Sequence, residues 1–519
     1  MTRTKSDSPT SDTTKETAVA GVAGATDAVA ESPGLLGRFL VLRGAMPELW
    51  ITFAIKFFGV IAYSIVNSTI VLWLSKDLGF LDESASWIVA AWSLSMTIFT
   101  LLVGSLTDAI GMRKAFLLGI VICILARAVM TFTTFPLLAI FAGLLPLAIG
   151  EALGTPVMIA ATRRYSTTAQ RSISFSIIYV VMNLGFLVKG KIFDWVRHPE
   201  FGMGEDGLLT LPLLGELTTY RMLFLISLLF ELILLPLVYF GIREGAEATD
   251  EGVKFTPSGS SHAGQAKPSV SQVIADAARD TIRVFIELGR RPGFYRMLGF
   301  LVMIAFLKLL FVTMSYVFPK FGIRELGPGA PIGTLWDSTN AALIVVLVPI
   351  IGALSQKISA YRMVAAGGIV TAASMFIMVL PPEWFKPLAD GWLGKALSHP
   401  WYLGLSGEVN PWYVMIFFYV VALSIGEAIY SPRVYEYAAS IAPRGQEASY
   451  GALSYVPYFV AKLLVGAFGG MLLARYCPET GPRNPQMMWL VLALGTMIAP
   501  IGLIVLRRWI RVQEAGRED

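Results

Sequence analysis

Two glutamates stand in matching apolar surroundings: Glu151 in Gly150-Glu151-Ala152-Leu153-Gly154-Thr155-Pro156, and Glu427 in Gly426-Glu427-Ala428-Ile429-Tyr430-Ser431-Pro432. Their offset is 276 residues (427 − 151), and the same offset pairs Gln170 with Gln446 and Tyr179 with Tyr455. A carboxylate in hydrocarbon costs about 2–4 kcal/mol or more, so one kept at the same place in each half implies proton or ion chemistry at a charged centre. Lys308 and Lys462 also fall deep inside apolar runs, and Lys56 lies about two turns into the first of them. A buried ammonium needs a carboxylate partner or an anionic ligand, and both glutamates are available. Each glutamate precedes a proline by five residues. Proline frees a backbone carbonyl and bends a helix, which opens polar backbone towards a cavity. The plainer alternative for each charge is a structural inter-helix salt bridge.

The elements that must position these groups follow from hydropathy. The 519 residues are 55% hydrophobic and 15% charged, against about a quarter charged in soluble chains, so most of this one belongs in lipid. About twelve runs are long enough to span a bilayer, near 50–74, 85–107, 115–132, 136–160, 171–195, 221–242, 294–318, 335–356, 362–380, 412–438, 449–474 and 487–508. This predicts an all-α integral membrane protein with two pseudo-symmetric six-helix bundles, at 46–242 and 293–511. A polar linker at 243–292 joins them, with an amphipathic interfacial helix expected near 270–289. Residues 1–45 read as a disordered cytosolic tail and 512–519 as a second tail. A duplicated bundle around a charged centre is the architecture of a secondary transporter.

Basic residues gather in one set of loops, at Arg38/Arg43, Arg113/Lys114, Arg163/Arg164/Arg171, Arg243 to Arg291, Lys357/Arg362, Arg444 and Arg507/Arg508. The opposite loops carry Asp77, Asp82, Glu83, Glu200, Glu205, Asp206 and Glu216. The positive-inside rule then puts both termini in the cytoplasm of a cell with the chain in its inner membrane. Trp73, Trp87, Trp195, Trp384, Trp401 and Trp412 fall near the outer boundaries, as an aromatic belt would. Arg127, Arg475 and at least one of Lys189 and Lys191 read as snorkelling anchors near outer ends, and Glu231 as a weaker candidate on the sixth span. The basic residues lie in short loops, so the net charge of +5 gives no nucleic-acid signal, and two distant cysteines suggest neither disulfides nor zinc. No metal cluster, Gly-x-Ser-x-Gly elbow or ATP-binding loop stands out, which argues against an enzyme or cofactor site.

The segment Gly104-Ser105-Leu106-Thr107-Asp108-Ala109-Ile110-Gly111-Met112-Arg113-Lys114 joins the second and third spans, and Gly352-Ala353-Leu354-Ser355-Gln356 holds the equivalent place in the second half. The first resembles the loop 2–3 signature of the major facilitator superfamily. There the cluster latches two bundles in the outward-facing state, so the resemblance implies that fold and a gating role for Asp108, Arg113 and Lys114. Within the superfamily the chain resembles the proton-dependent oligopeptide transporters, through Trp73-Leu74-Ser75-Lys76-Asp77-Leu78-Gly79, Tyr179-Val180-Val181-Met182-Asn183-Leu184-Gly185 and Gly426-Glu427 with Ser431-Pro432 and Ala442-Pro443. That resemblance implies substrate contacts at Asn183 and Glu427. The family's helix-1 Glu-x-x-Glu-Arg proton cluster is replaced here by Lys56, Gly59 and Val60, and its helix-4 lysine by Thr155.

Together these readings predict a proton-coupled secondary transporter of a small polar, zwitterionic or anionic solute, working as a monomer in the bilayer. Lys56, Tyr63, Asn67, Asn183, Lys308, Glu427 and Lys462 are the expected substrate contacts, and Glu151 and Glu427 the expected proton carriers. Arg433 joins Asp108, Arg113 and Lys114 as a candidate gate. The rival expectations are a proton-antiport exporter of amphiphiles and, from another class, a transport-dead receptor or membrane enzyme.

Overall fold

The computed structural model describes residues 41–511, apart from 201, 213–214, most of 256–291, 356–357 and 441–455, with backbone alone at 101–110 and at scattered positions such as 155–156 and 438–440. The expected spans are present as helices. The first six are α1 (Pro47–Lys76), α2 (Asp82–Ile110), α3 (Met112–Phe132), α4, α5 (Thr168–Arg197) and α6 (Thr219–Gly241). The α4 span runs through Pro136–Leu138, a π-helical turn at Ala139–Leu144 and Leu145–Arg164. The second six are α7 (Pro292–Tyr316), α8 (a π-helical turn Thr334–Ser338 leading into Thr339–Leu354), α9 (Ala360–Ser374, tightening to 3₁₀ at Met375–Val379), α10 (Pro411–Ser440), α11 (Val456–Tyr476) and α12 (Pro485–Val505). Among the described residues ten helices are long and apolar enough to cross a membrane, and the chain is a multi-pass membrane protein.

Local sequence sets where these helices begin. Thr167 and Gln170 form a reciprocal capping box at the start of α5, and the side chains of Thr218, Ser359 and Asn484 accept from backbone N–H groups in the first turns of α6, α9 and α12. Pro47 opens α1, where its missing N–H costs nothing. Gly111 separates α2 from α3 at φ 90°, a left-handed conformation that a side chain would strain.

The packing repeats under a shift of six helices. In the first bundle α1 packs on α5 and α6, α3 on α4 and α6, and α2 on α4; in the second α7 packs on α11 and α12, α9 on α10 and α12, and α8 on α10. The two main contacts between bundles, α2 with α11 and α5 with α8, exchange under the same shift. Both depend on small residues. A Cβ on Gly190 of α5 would lie 2.6 Å from the Gly333 carbonyl before α8, and one on Gly466 of α11 would lie 2.7 Å from the Ala90 Cβ of α2.

Several details differ from the sequence reading. Two antiparallel hairpins, β1 (Leu208–Leu211) with β2 (Gly215–Thr218) and β3 (Ala246–Thr249) with β4 (Gly252–Phe255), flank α6 outside the spans. Most of the expected amphipathic helix at 270–289, and the tails before 41 and after 511, lie outside the described residues. Trp73 and Trp412 do not join an aromatic belt. Both are buried, Trp73 edge-on to Phe224 and Trp412 to Phe321, because interior helix faces take them up. Trp87, Trp195, Trp384 and Trp401 are exposed, as expected of a belt.

Candidate substrate and proton site

Lys56, Tyr63 and Asn67 occupy one face of α1, at spacings of seven and four residues that return to the same side of a helix. Across from them, Lys462 of α11 is fully buried and its ammonium donates to Tyr63 Oη at 2.8 Å. Three rings surround that ammonium, with centroids of Tyr458, Trp92 and Tyr63 at 5.0, 5.2 and 5.5 Å. Ring faces attract a cation most where water is excluded, by about 2 kcal/mol or more. Among the described residues no carboxylate lies within ion-pair distance of Lys462; Glu151 acts on it, and on Lys56, only through space. Beside this cage Tyr316 of α7 donates to Asn67 Oδ1 at 3.2 Å and lies 3.3 Å from Ser93 Oγ of α2. The bundle seam here is polar and aromatic.

Glu151 has a partner that its sequence position does not reveal. Arg127 of α3 is fully buried, its Nη2 2.5 Å from Glu151 Oε1 and its Nη1 3.3 Å from Glu231 Oε2 of α6. Its Nε donates to Ser227 Oγ at 2.8 Å, and Ser227 in turn donates to the Ala62 carbonyl of α1. The interfacial-anchor reading of Arg127 is therefore wrong, and Glu231 is a member of the centre. Counting residues from a span end gives depth, but not which neighbouring helix a side chain meets. Lys189 is likewise no anchor: it is buried, 2.6 Å from Asp337 of α8 and 2.5 Å from Ser68 Oγ. Lys191 is exposed and donates to the Tyr402 carbonyl.

Glu427 forms a separate centre inside the second bundle. Asn340 of α8 donates to Glu427 Oε2 at 3.0 Å and contacts Ser424 Oγ at 3.0 Å. Lys308 of α7 rests 5.0 Å from the Phe311 ring and 5.2 Å from that of Tyr430, and is the cation acting on Glu427. Among the described residues no hydrogen bond or ion pair joins Glu427 or Lys308 to the first bundle. The expected single cluster is thus two: one across the seam, around Lys462, and one within the second bundle. Among the described residues Asn183 bonds to neither; its amide donates to the Tyr179 carbonyl one turn back.

The bundles are latched at the end that carries Asp82. Asp82 accepts from Lys320 at 2.6 Å and Arg324 at 2.9 Å, and Lys76 pairs with Glu479 at 2.6 Å. Asp194 of α5 accepts the backbone N–H groups of Gly333 and Thr334 at 2.8 and 2.5 Å. Glu205 accepts from Gly329 N–H, and Arg197 donates to the Ala330 carbonyl. Burial pushes the Lys320 ammonium below its ordinary range, against the pull of Asp82. At the opposite end the expected gate residues bond within their own bundles. Arg113 donates to the Tyr239 carbonyl and stacks on its ring, Lys114 lies 3.6 Å from Glu244, and Arg433 donates to Ser355 Oγ at 2.8 Å. Asp108 is described by its backbone only, within α2.

Two six-helix bundles related by a shift of six, closed at one end around a polar seam, define the architecture. This is the major facilitator fold. A family model described as Major Facilitator Superfamily matches residues 52–191, from α1 into α5. Among solved structures, the chain is similar to a POT family transporter in complex with a thioalcohol-conjugated peptide, at 15% identity and TM-score 0.63, covering 89% of this chain and 96% of that one. It is also similar to a POT family transporter in complex with 5-aminolevulinic acid, at 15% identity, TM-score 0.62 and the same coverages. A third neighbour, the tetrameric PepTSo2, gives 17% identity and TM-score 0.59 over 89% of this chain and 99% of that chain. No curated protein sequence matches. The family model and the neighbours describe transporters rather than an enzyme, and the chain resembles the peptide-transporter branch of the major facilitator fold.

Proposed function

We propose that the protein is a secondary active transporter, proton-coupled, that moves a small zwitterionic or anionic organic solute by alternating access at the seam between its bundles. The observation that carries this reading is the caged ammonium of Lys462, buried with no paired carboxylate among the described residues and bonded across the seam to Tyr63. A desolvated cation of this kind is strongly stabilised by an anionic ligand. Lys56 and Asn67 extend the surface on the first bundle, while Lys308, Asn340 and Glu427 offer a second charged station on the other. An anionic group on Lys462 and an amino group towards Glu427 would suit a zwitterion. With the basic loops inside the cell, the latched Asp82 end is external.

The test is a thermal-shift screen of the purified protein against peptides, organic acids and amphiphiles, followed by uptake into proteoliposomes under an imposed pH gradient. Solutes with an anionic group are expected to stabilise the wild type. Stabilisation by purely cationic solutes alone contradicts the reading, and efflux-only behaviour with amphiphiles replaces import by export.

A further inference from the structure

We propose that Glu151, Arg127 and Glu231 form a one-proton site in which Glu231 is the neutral acid and Glu151 the carboxylate paired to Arg127. The inference deepens the transport reading, on which it rests, by naming where a coupling proton is held. It starts from charge: one guanidinium faces two carboxyl groups, and the side chains of Arg127, Glu231 and Glu151 are 0%, 7% and 16% exposed. With both acids ionised the buried triad would carry an uncompensated negative charge, whereas with one proton it is neutral.

The geometry distinguishes the two acids. Glu151 receives a charge-assisted hydrogen bond from Nη2 at 2.5 Å. Glu231 lies 3.3 Å from Nη1, yet Nη1 makes no hydrogen bond, and no other donor reaches Glu231 among the described residues. A buried carboxylate that shares its guanidinium with a better-bonded rival and receives no hydrogen bond is poorly compensated when ionised, and a neutral acid avoids that cost.

The groups facing the triad are the Cys123 thiol on its own helix α3, Lys56 and Tyr63 on α1, and Lys462 on α11. Lys56 and Lys462 attract the Glu151 charge through space without pairing with it. An anion seated on Lys462 cancels part of that attraction and favours proton entry into the triad. By reciprocity, a proton in the triad favours the anion. Proton and anion then travel in the same direction. Loading is simple proton transfer from water to a carboxylate oxygen, with no other bond made or broken.

Infrared difference spectroscopy of the protein in lipid, titrated through neutral pH, reads the carbonyl stretch of a protonated carboxyl without any substrate. Glu427→Gln is the background, which removes the acid of the second-bundle station. The expected result is a buried protonated-carboxyl band that is lost in Glu231→Gln. It is also lost in Glu151→Gln, where Arg127 has only Glu231 to balance it. Each substitution keeps the size of the side chain, and either alone carries the test should the other fail to fold. A band unchanged by both substitutions, or its absence from the background protein, overturns the one-proton site. Because no solute is added, that outcome leaves the transport reading to its own screen, and failure of the screen leaves the band standing.

Discussion

Replacing Asp82 with asparagine should open the latched end. The carboxylate serves two cations at once, and the side chains of Asp82, Lys320 and Arg324 are 13%, 5% and 10% exposed. Removing one partner of a buried ion pair costs about 3–5 kcal/mol, because the charges left behind stay desolvated. The lower end applies here. Lys320 keeps its bond to Ser75, Arg324 keeps the Cys477 carbonyl at 2.7 Å, and asparagine retains an acceptor oxygen. In the opposite conformation this end is hydrated, and the substitution costs little there. The difference, about 3 kcal/mol, moves the balance between the conformations on the order of 100-fold towards the one open at Asp82. Pulsed electron–electron distance measurements report it directly, with spin labels at Glu200→Cys and Glu408→Cys, exposed positions on opposite bundles. A longer distance population is expected in Asp82→Asn. Lys386→Gln should not produce it, since its pair with Asp390 is a surface contact within one helical turn. An unchanged distribution in Asp82→Asn would refute the latch and the energetic reasoning behind it.

Lys462→Met keeps the length of the caged side chain without its charge and should abolish stabilisation by anionic solutes in the thermal-shift screen; retained binding would separate the cage from the substrate site. Gly190→Val would drive a side chain into Ser338 and the Gly333 carbonyl, so it should lengthen the same spin-label distance without any charge change. Asp77 lies just beyond α1, accepts a 2.6 Å hydrogen bond from Thr218 and is pushed up to about 6, chiefly by burial, against the pull of that bond and of Arg221. A carboxyl raised in the folded state contributes stability that is complete below its unfolded value and lost as pH climbs through about 6. Asp77→Asn should therefore flatten the loss of thermal stability between mildly acidic and neutral pH and be the more stable protein at neutrality; parallel curves for the two proteins would show that Asp77 is not the titrating group.

The spans, the duplication and the presence of charge inside the membrane are legible along the chain alone. Each is a property of one helix at a time: a run of apolar residues fixes a span, and a repeated Gly-Glu with a proline beyond it marks corresponding turns in the two halves. Which charges meet depends on helix packing. Arg127 looked like an anchor because its distance along α3 places it near a span end, yet rotation about the helix axis turns it towards Glu151 and Glu231 on α4 and α6. Lys462 and Tyr63 lie 399 residues apart and become neighbours only because α1 and α11 both line the seam. The latch on Asp82 likewise joins α2 to the short helix Phe318–Leu326 after α7. Depth in the bilayer is written along the chain, but azimuth and partner are set by helix packing, where glycine contacts such as Gly190 with Gly333 fix how closely two faces approach.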